Sequence, residues 1–103
     1  MDIQWLIKKF DELTSRELYA ILQLRNEVFV VEQQCVYQDA DNKDQLSFHL
    51  SGWLEGRLVA YTRIIPAGVA FDTVSIGRVV ISPGIRRTGM GKLLMLKSIE
   101  EVN

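Results

Sequence analysis

Hydrophobic and polar positions follow two rhythms along the chain, and its first part shows both. Residues 3–10 form a short, apolar-rich run, which predicts a first strand. Thr14 is followed three residues later by Glu17, and each of these side chains can cap the other residue's backbone N–H, so a helix is predicted to begin here. The apolar positions that follow at helical spacing are Leu18, Ile21, Leu22, Val28 and Phe29.

The second part of the chain changes to the rhythm of strands. A polar, poorly periodic stretch over residues 32–47 predicts a long loop. Two apolar runs, 48–54 and 57–65, flank a short glycine-containing turn and predict a β-hairpin. Residues 74–82 predict a further strand and 89–102 a last helix. Three consecutive strands with short connections favour an antiparallel sheet with helices packed on its faces, in the α/β (α+β) class.

Composition restricts the class of protein further. The chain has 103 residues, 48% of them hydrophobic and 24% charged, which is typical of one folded domain. Its net charge of -1 supplies no basic field, so we expect no nucleic-acid partner. No apolar run is long enough to span a membrane, and the first five residues do not resemble a signal peptide. With Cys35 as its single cysteine, the chain is expected in a reducing compartment, by default the cytoplasm.

The stretch 77–94 is predicted as a strand, a turn at Pro83-Gly84, a basic glycine-rich loop and the start of a helix. Loop N–H groups and a helix N-terminus that converge on one point form a cradle for an anion. A turn that merely carries helix-capping glycines is the alternative. The loop does not fit a Walker A motif, because Gly91-Lys92 is followed by leucine instead of serine or threonine. It does not fit the dinucleotide fingerprint either, because Leu94 stands where the third glycine is required.

The run from Arg86 to Gly91, preceded by the apolar residues 79–81, resembles motif A of the GNAT superfamily of N-acetyltransferases. Residues 22–33, 37–41 and 76–80, together with His49-Leu50, are similar to segments of its ElaA-like subgroup. These matches follow one another in order over nearly the whole chain. The resemblance therefore implies a GNAT-type fold, a mostly antiparallel sheet flanked by helices.

The resemblance also implies the chemistry. A GNAT enzyme moves an acetyl group from acetyl-CoA to an amine of a small molecule, peptide or protein by direct attack, without a metal. A backbone N–H in the strand, that of Val80, would stabilise the oxyanion. Backbone N–H groups and basic side chains of the loop would bind the pyrophosphate. The residues expected to bind the cofactor are Val79, Val80, Ile81, Arg86, Arg87, Thr88, Gly89, Met90, Gly91 and Lys92.

Compared with a complete GNAT domain, residues 1–103 are expected to form a single, C-terminally incomplete domain, without a fifth strand, a fourth helix and a final hairpin. The strand over 74–82 should then have an unpaired outer edge, and the last helix should expose apolar residues. A shortened coding sequence, a partner chain that completes the sheet and unusual packing between copies are the alternatives. Of these we favour association of copies through this edge. Two rival functions stay open, an acetyl-CoA-binding module without catalysis and a non-enzymatic fragment that completes a partner's sheet.

The acceptor ammonium must lose a proton before it attacks, so a base is needed. Glu32, at the head of the long loop, and His49, the single histidine, are the candidates; a solvated glutamate and a structural histidine are the alternatives.

Two arginines are candidates for substrate binding. Arg25 interrupts an apolar stripe, so a carboxylate is expected to pair with it. Asp39, Asp41 or Asp44 could reach it from the long loop. A structural ion pair is the favoured interpretation for Arg25. Arg78, next to the oxyanion strand, would either bind an acidic acceptor or form a salt bridge. Residues 39–50 fail as a calcium loop and ligands for zinc are lacking, so no metal is expected.

Overall fold

The computed structural model describes residues 2–34, 38–86 and 88–102. Within these ranges the chain forms β1 (Gln4–Lys9), α1 (Ser15–Arg25), β2 (Phe48–Leu54), β3 (Arg57–Ile65), β4 (Ser75–Ile81) and α2 (Met90–Val102). The predicted order of strand, helix, loop, three strands and helix is confirmed. Wider π-helical turns continue α1 over Asn26–Glu32. No helix in the described part of the chain is long and apolar enough to cross a membrane.

The four strands form one antiparallel sheet in the order β1-β2-β3-β4. Gln4 pairs with Trp53 across β1 and β2, and Phe48 pairs with Ile64 across β2 and β3. The predicted hairpin and antiparallel sheet are therefore confirmed. On its outer side, β4 pairs with no other strand in the described ranges. Association between copies through that edge stays a prediction.

Helix α1 begins where the sequence predicts, at a reciprocal cap. The Glu17 backbone N–H donates to Thr14 Oγ1 at 3.1 Å, and the Thr14 backbone N–H donates to Glu17 Oε1 at 2.8 Å. Two otherwise unpaired backbone donors are satisfied in this way. Lys8 of β1 also binds the Glu17 carboxylate at 3.0 Å, which ties the start of the helix to the neighbouring strand.

The helices cover opposite faces of the sheet. On the α1 side the buried residues are Ile21, Leu24, Val28, Tyr61 and Val80. On the α2 side they are Leu50, Ala60, Met90 and Leu94. The predicted stripe of α1 is partly wrong, because Leu22 is exposed and Leu24 is buried in its place. As expected, α2 exposes apolar side chains, with Leu96 at 55% and Ile99 at 48% exposure.

Candidate functional site

The predicted anion cradle lies between the end of β4 and the start of α2. After β4 the chain makes a short 3₁₀ turn at Pro83–Ile85 and reaches α2 through an exposed loop. Gly89 has a φ of 82°, a left-handed conformation that favours glycine, and its carbonyl accepts the first helical bond from the Leu93 N–H at 3.2 Å. Thr88 Oγ1 donates to the Ile85 carbonyl at 2.7 Å and braces the loop.

Within the described residues, the N-terminus of α2 is open at Gly91. A Cβ built on Gly91 would meet no atom of the described chain within 4 Å. Packing against the rest of the described protein therefore does not require a glycine at this position. Lys92 is exposed beside it, whereas Met90 is buried and anchors the first turn in the core. Arg87, predicted to bind phosphate, lies outside the described residues, as does Cys35.

Strand β4 carries a bulge at two of its predicted functional residues. The pairs Tyr61–Val80 and Arg63–Gly77 leave two residues of β4, Arg78 and Val79, opposite a single residue of β3. Arg78 has a φ of 51°, an unusual conformation for a residue with a side chain. After the bulge, Val80 packs against α1 and Ile81 packs against the α2 side of the sheet, while Val79 is 38% exposed.

Six charged side chains form a closed, alternating cycle beside this bulge, which we call the Arg–Asp ring. Each arginine contacts two aspartates and each aspartate contacts two arginines. The members, in order around the cycle, are Asp39, Arg25, Asp44, Arg63, Asp41 and Arg78. The three aspartates come from one loop segment, whereas the arginines come from α1, β3 and β4.

The inner side of the ring is almost completely buried. Arg25, with 0% side-chain exposure, donates from Nε to Asp39 Oδ2 and from Nη1 to Asp44 Oδ1, both at 2.8 Å. Arg63, at 4%, donates to Asp41 Oδ1 at 2.7 Å and to Asp44 Oδ1 at 3.0 Å. The ion pair predicted for Arg25 is confirmed. Its burial leaves no surface for the substrate contact that was also considered.

Arg78 closes the ring on the side of β4. Its Nε donates to Asp39 Oδ1 at 2.8 Å, and its Nη2 donates to Asp41 Oδ2 at 3.2 Å. The structure thus contains the salt bridge that the sequence offered as the alternative to an acceptor contact. With its side chain 19% exposed, Arg78 is the more accessible of these two predicted substrate-binding arginines.

The electrostatics of the ring keep Asp41 and Asp44 ionised. Hydrogen bonds from Arg63 lower the pKa of Asp41 well below its usual range, against the smaller opposite effect of burial. Burial alone would raise the pKa of Asp44, but hydrogen bonds and charge from Arg25 and Arg63 outweigh burial and lower it. Each carboxylate of the ring thus pairs with two arginines. Among the described residues, no cluster of His, Cys, Asp or Glu is placed to hold a metal ion.

His49 is buried next to the ring instead of facing a cleft. Its Nε2 lies 2.8 Å from the Asp44 carbonyl oxygen, so this nitrogen carries the proton and donates it. Its Nδ1 then accepts from the Tyr61 hydroxyl at 2.6 Å. Burial lowers the pKa of His49 and raises the pKa of Tyr61, so both are neutral. Because both ring nitrogens are engaged, the geometry supports the structural alternative for His49.

Glu32, the other predicted base, lies at the surface and contacts the loop after β4. Its carboxylate binds Arg86 Nη1 at 2.8 Å, and the two side chains are 40% and 38% exposed. Arg86 Nε also donates to the Ile81 carbonyl at 3.3 Å. Glu32, predicted as the base, and Arg86, predicted to bind phosphate, therefore form an ion pair with each other.

Arg63 is the ring member that sequence reasoning did not single out. Its signal was available, because a charged residue stands between Thr62 and Ile64 near the end of an otherwise apolar strand. Arg25 was noticed for the same kind of interruption in a helix. The aspartate partners of Arg25 and Arg63 lie 14 to 22 residues away in sequence, so only the fold identifies which aspartate each one meets.

Comparison with known proteins gives concordant results. The family model described as Acetyltransferase (GNAT) family matches residues 10–103. Among curated proteins, the chain is 44% identical over 100 residues to Protein ElaA of Escherichia coli (strain K12), covering 95% of this chain and 65% of that protein. The chain thus spans about two thirds of the length of this relative.

Two solved structures superpose closely. A crystal structure of an acyl-CoA N-acyltransferase from Pseudomonas aeruginosa matches with a TM-score of 0.91 and 44% identity, over 96% of this chain and 69% of that one. The crystal structure of Escherichia coli ElaA matches with a TM-score of 0.92 and 43% identity, over 98% of this chain and 70% of that one. The chain thus has the fold of these two proteins over the part that is covered.

Proposed function

The chain belongs to the GNAT acetyltransferase family and has its acyl-CoA N-acyltransferase fold, and on this premise we propose that it binds acetyl-CoA and transfers the acetyl group to an amine. One observation carries the proposal. The β4 bulge leads directly into a loop whose glycines leave the N-terminus of α2 open. Backbone donors and basic side chains thus lie where a diphosphate can approach.

Phosphate binding is the first task of the loop. Backbone N–H groups at the start of α2 have no partner within the helix, and the helix dipole favours an anion at this end. Gly91 leaves the space in front of these N–H groups clear, and Lys92 is exposed beside them. Arg86 adds a second positive charge once its pair with Glu32 opens. This donor set suits the diphosphate of coenzyme A.

Acetyl transfer is the second task, and β4 contributes to it. A neutral amine attacks the thioester carbonyl, a C–N bond forms, and the C–S bond breaks to release coenzyme A as a thiolate. The proton that the attacking nitrogen loses as it becomes an amide is taken up by this thiolate. Negative charge develops on the carbonyl oxygen, and the Val80 backbone N–H stabilises that charge in our proposal. Glu32 is the described carboxylate next to this loop, and we assign it as the base that accepts the ammonium proton, directly or through water.

The other predicted residues take supporting places in this scheme. Arg25 and His49 are buried, so we assign them to holding the loop segment that carries Asp39, Asp41 and Asp44. The acceptor amine is left open between small molecules, peptides and proteins. No described contact selects among these three classes.

The same substitution at two glycines tests the proposed phosphate site, because one glycine lies at the helix N-terminus and the other lies in the preceding turn. Gly91→Val puts a branched side chain in front of the helix N-terminus, and Gly84→Val makes the same change in the preceding turn. Neither position has an atom of the described chain within 4 Å of the built Cβ, and neither has a left-handed φ. Both variants should therefore fold. Isothermal titration calorimetry with acetyl-CoA should show binding weakened at least about tenfold by Gly91→Val, as expected when hydrogen bonds to the ligand are lost. Gly84→Val should leave it unchanged.

Transfer is measured separately, as amine-dependent thiol release over a panel of small amines and peptides. Release above the amine-free rate supports the enzyme. Binding without release supports the rival acetyl-CoA-binding module. The absence of heat and of any thermal shift at millimolar acetyl-CoA would reject both and leave the interaction fragment.

A further inference from the structure

The Arg–Asp ring connects elements that are distant in sequence. Its three aspartates lie within the six residues 39–44, and its arginines come from the end of α1, from β3 and from β4. Because all six ion pairs close into one cycle, displacing the loop segment breaks contacts to three elements together. The segment is thereby fixed against the strand that carries the proposed oxyanion donor.

The corner of the ring at Arg78 has an unusual backbone. Its φ of 51° is a conformation that residues with a side chain seldom adopt, and within a paired strand it requires support from the surroundings. The surroundings here are two carboxylates, with Nε 2.8 Å from Asp39 Oδ1 and Nη2 3.2 Å from Asp41 Oδ2. A further bond from Nη2 to the Asp39 carbonyl, at 3.2 Å, fixes the plane of the guanidinium. Three hydrogen bonds from two nitrogens of one planar group are what an arginine fork provides and a lysine does not.

The conformation of Arg78 determines the direction of the chain that follows. Arg78 and Val79 are the two bulged residues, and Val80 resumes pairing with Tyr61. A bulge bends the strand and changes its local twist, so it sets the direction of the N–H and C=O groups of Val79 and Val80. In the function proposed above, these groups meet the thioester end of acetyl-CoA.

We infer that Arg78 is a positioning residue for the acyl-binding backbone of β4, which it holds in its bulged form through ion pairs to Asp39 and Asp41. This inference rests on the proposed function. It assigns to the aspartate segment a role in cofactor geometry that goes beyond holding a loop. It also replaces the direct contact between Arg78 and an acidic acceptor, since the guanidinium is already occupied on both carboxylates.

The test compares two ligands that share their phosphates. Acetyl-CoA reaches both the glycine loop and β4, whereas 3′-phosphoadenosine 5′-diphosphate carries the diphosphate without the arm that would follow β4. Arg78→Gly allows the left-handed φ and removes the ion pairs. We expect it to weaken acetyl-CoA about tenfold, the effect of losing aligned hydrogen bonds, and to leave the nucleotide within about twofold. A variant that merely loosens the whole fold would weaken both ligands together.

A matched control exists in the β2–β3 hairpin. Glu55 has the same φ of 51°, is exposed and lies outside the ring. Glu55→Gly should leave the affinity for both ligands unchanged. Asp39→Asn, which keeps the size of the side chain and removes its charge, should reproduce the selective loss seen with Arg78→Gly. Arg78→Lys should recover it only in part, because one ammonium cannot bridge both carboxylates as the fork does.

The outcomes separate the inference from the proposed function. If the unaltered chain binds neither ligand, the proposed function fails. If it binds both and Arg78→Gly binds both equally well, the function stands and the inference is overturned. If Arg78→Gly binds acetyl-CoA normally but has a raised KM for acidic amines, the inference is also overturned, in favour of a direct contact between Arg78 and the acceptor.

Discussion

Replacing Arg25 with leucine removes a guanidinium that has no solvent exposure. The substitution removes the ion pairs to Asp39 and to Asp44, each at 2.8 Å. It also removes the contact of the guanidinium with the Tyr61 ring, whose centroid lies 5.9 Å away. Leucine fills part of the space and offers no donor. Each aspartate keeps one other arginine, because Asp39 still binds Arg78, and Asp44 still has its remaining ring partner.

The magnitude follows from this partial compensation. Removing one partner of a buried ion pair costs about 3–5 kcal/mol of unfolding free energy, and we expect the lower end, about 3 kcal/mol, because neither carboxylate is left alone. For a domain of this size each kcal/mol corresponds to roughly 4–8 °C in Tm, so the expected fall is about 12–24 °C. That is a large part of the stability of an ordinary domain, about 5–15 kcal/mol.

Urea unfolding followed by tryptophan fluorescence measures this effect, since Trp5 and Trp53 both lie in the sheet. The matched control is Arg16→Leu, the same change at an exposed position of the same helix, which should stay within about 0.5 kcal/mol of the unaltered chain. A loss for Arg25→Leu no larger than that of the control would refute the structural role of the ring.

Acidification provides a second check on the same variant. Arg25 pairs with Asp39 and Asp44, and the pKa of Asp44, which burial alone would raise, is lowered in the folded state because hydrogen bonds and charge from Arg25 and Arg63 outweigh burial. The contribution of Asp44 is therefore complete above its unfolded pKa, about 3.9, and is lost as the pH falls through the folded value. The gap between Arg25→Leu and the unaltered chain should therefore persist at pH 5 and narrow only at more acidic pH. A gap that closes already between pH 7 and pH 5 would contradict the assignment to these carboxylates.

Three further predictions concern other parts of the structure. Glu32→Gln should tighten acetyl-CoA binding about 1.4- to 5-fold in calorimetry, because an exposed ion pair worth roughly 0.2–1 kcal/mol no longer competes for Arg86; weaker binding would contradict this. Burial lowers the pKa of His49 in the folded state, so as the pH falls below about 6.5 this histidine binds a proton in the unfolded state before it does so in the folded state. The unfolding free energy should then fall by up to about 1.4 kcal/mol for each pH unit of acidification. Urea titrations of His49→Gln between pH 5 and 7.5 should lack this slope, and an unchanged slope would assign it elsewhere. Thr14→Ala should cost about 1 kcal/mol in urea unfolding through loss of the helix cap, whereas Ser15→Ala should cost little; equal losses would argue against the cap.

Local signals account for the parts of the fold that the sequence predicts well. The Thr14–Glu17 cap, the hairpin turn at Glu55-Gly56 and the change from strand to glycine loop to helix each depend on residues close together in the chain. The interactions that stabilise these features are also formed between residues close in sequence, so they do not depend on distant contacts. The interruption at Arg25 predicts an ion pair because a buried guanidinium needs one wherever it lies.

The remaining features depend on distant contacts. Which face of α1 is buried is decided by the sheet, which is why Leu24 replaces Leu22 in the core. The left-handed backbone at Arg78 has no local signature, since an arginine seldom adopts it and the side chain's partners, Asp39 and Asp41, are distant in sequence. The strand–loop–helix form of residues 77–94 was predictable from local sequence, but the pairing of Arg86 with Glu32 was not.

An NMR titration of the isotope-labelled chain with acetyl-CoA tests the central claim most directly, because each backbone amide reports separately. The account predicts saturable shift changes that are largest for the amides of residues 79–81 and 88–92. Amides around the β2–β3 turn at Glu55-Gly56, at the far end of the hairpin, should move little. Saturable changes concentrated away from the β4–α2 loop, or none at millimolar acetyl-CoA, would contradict it.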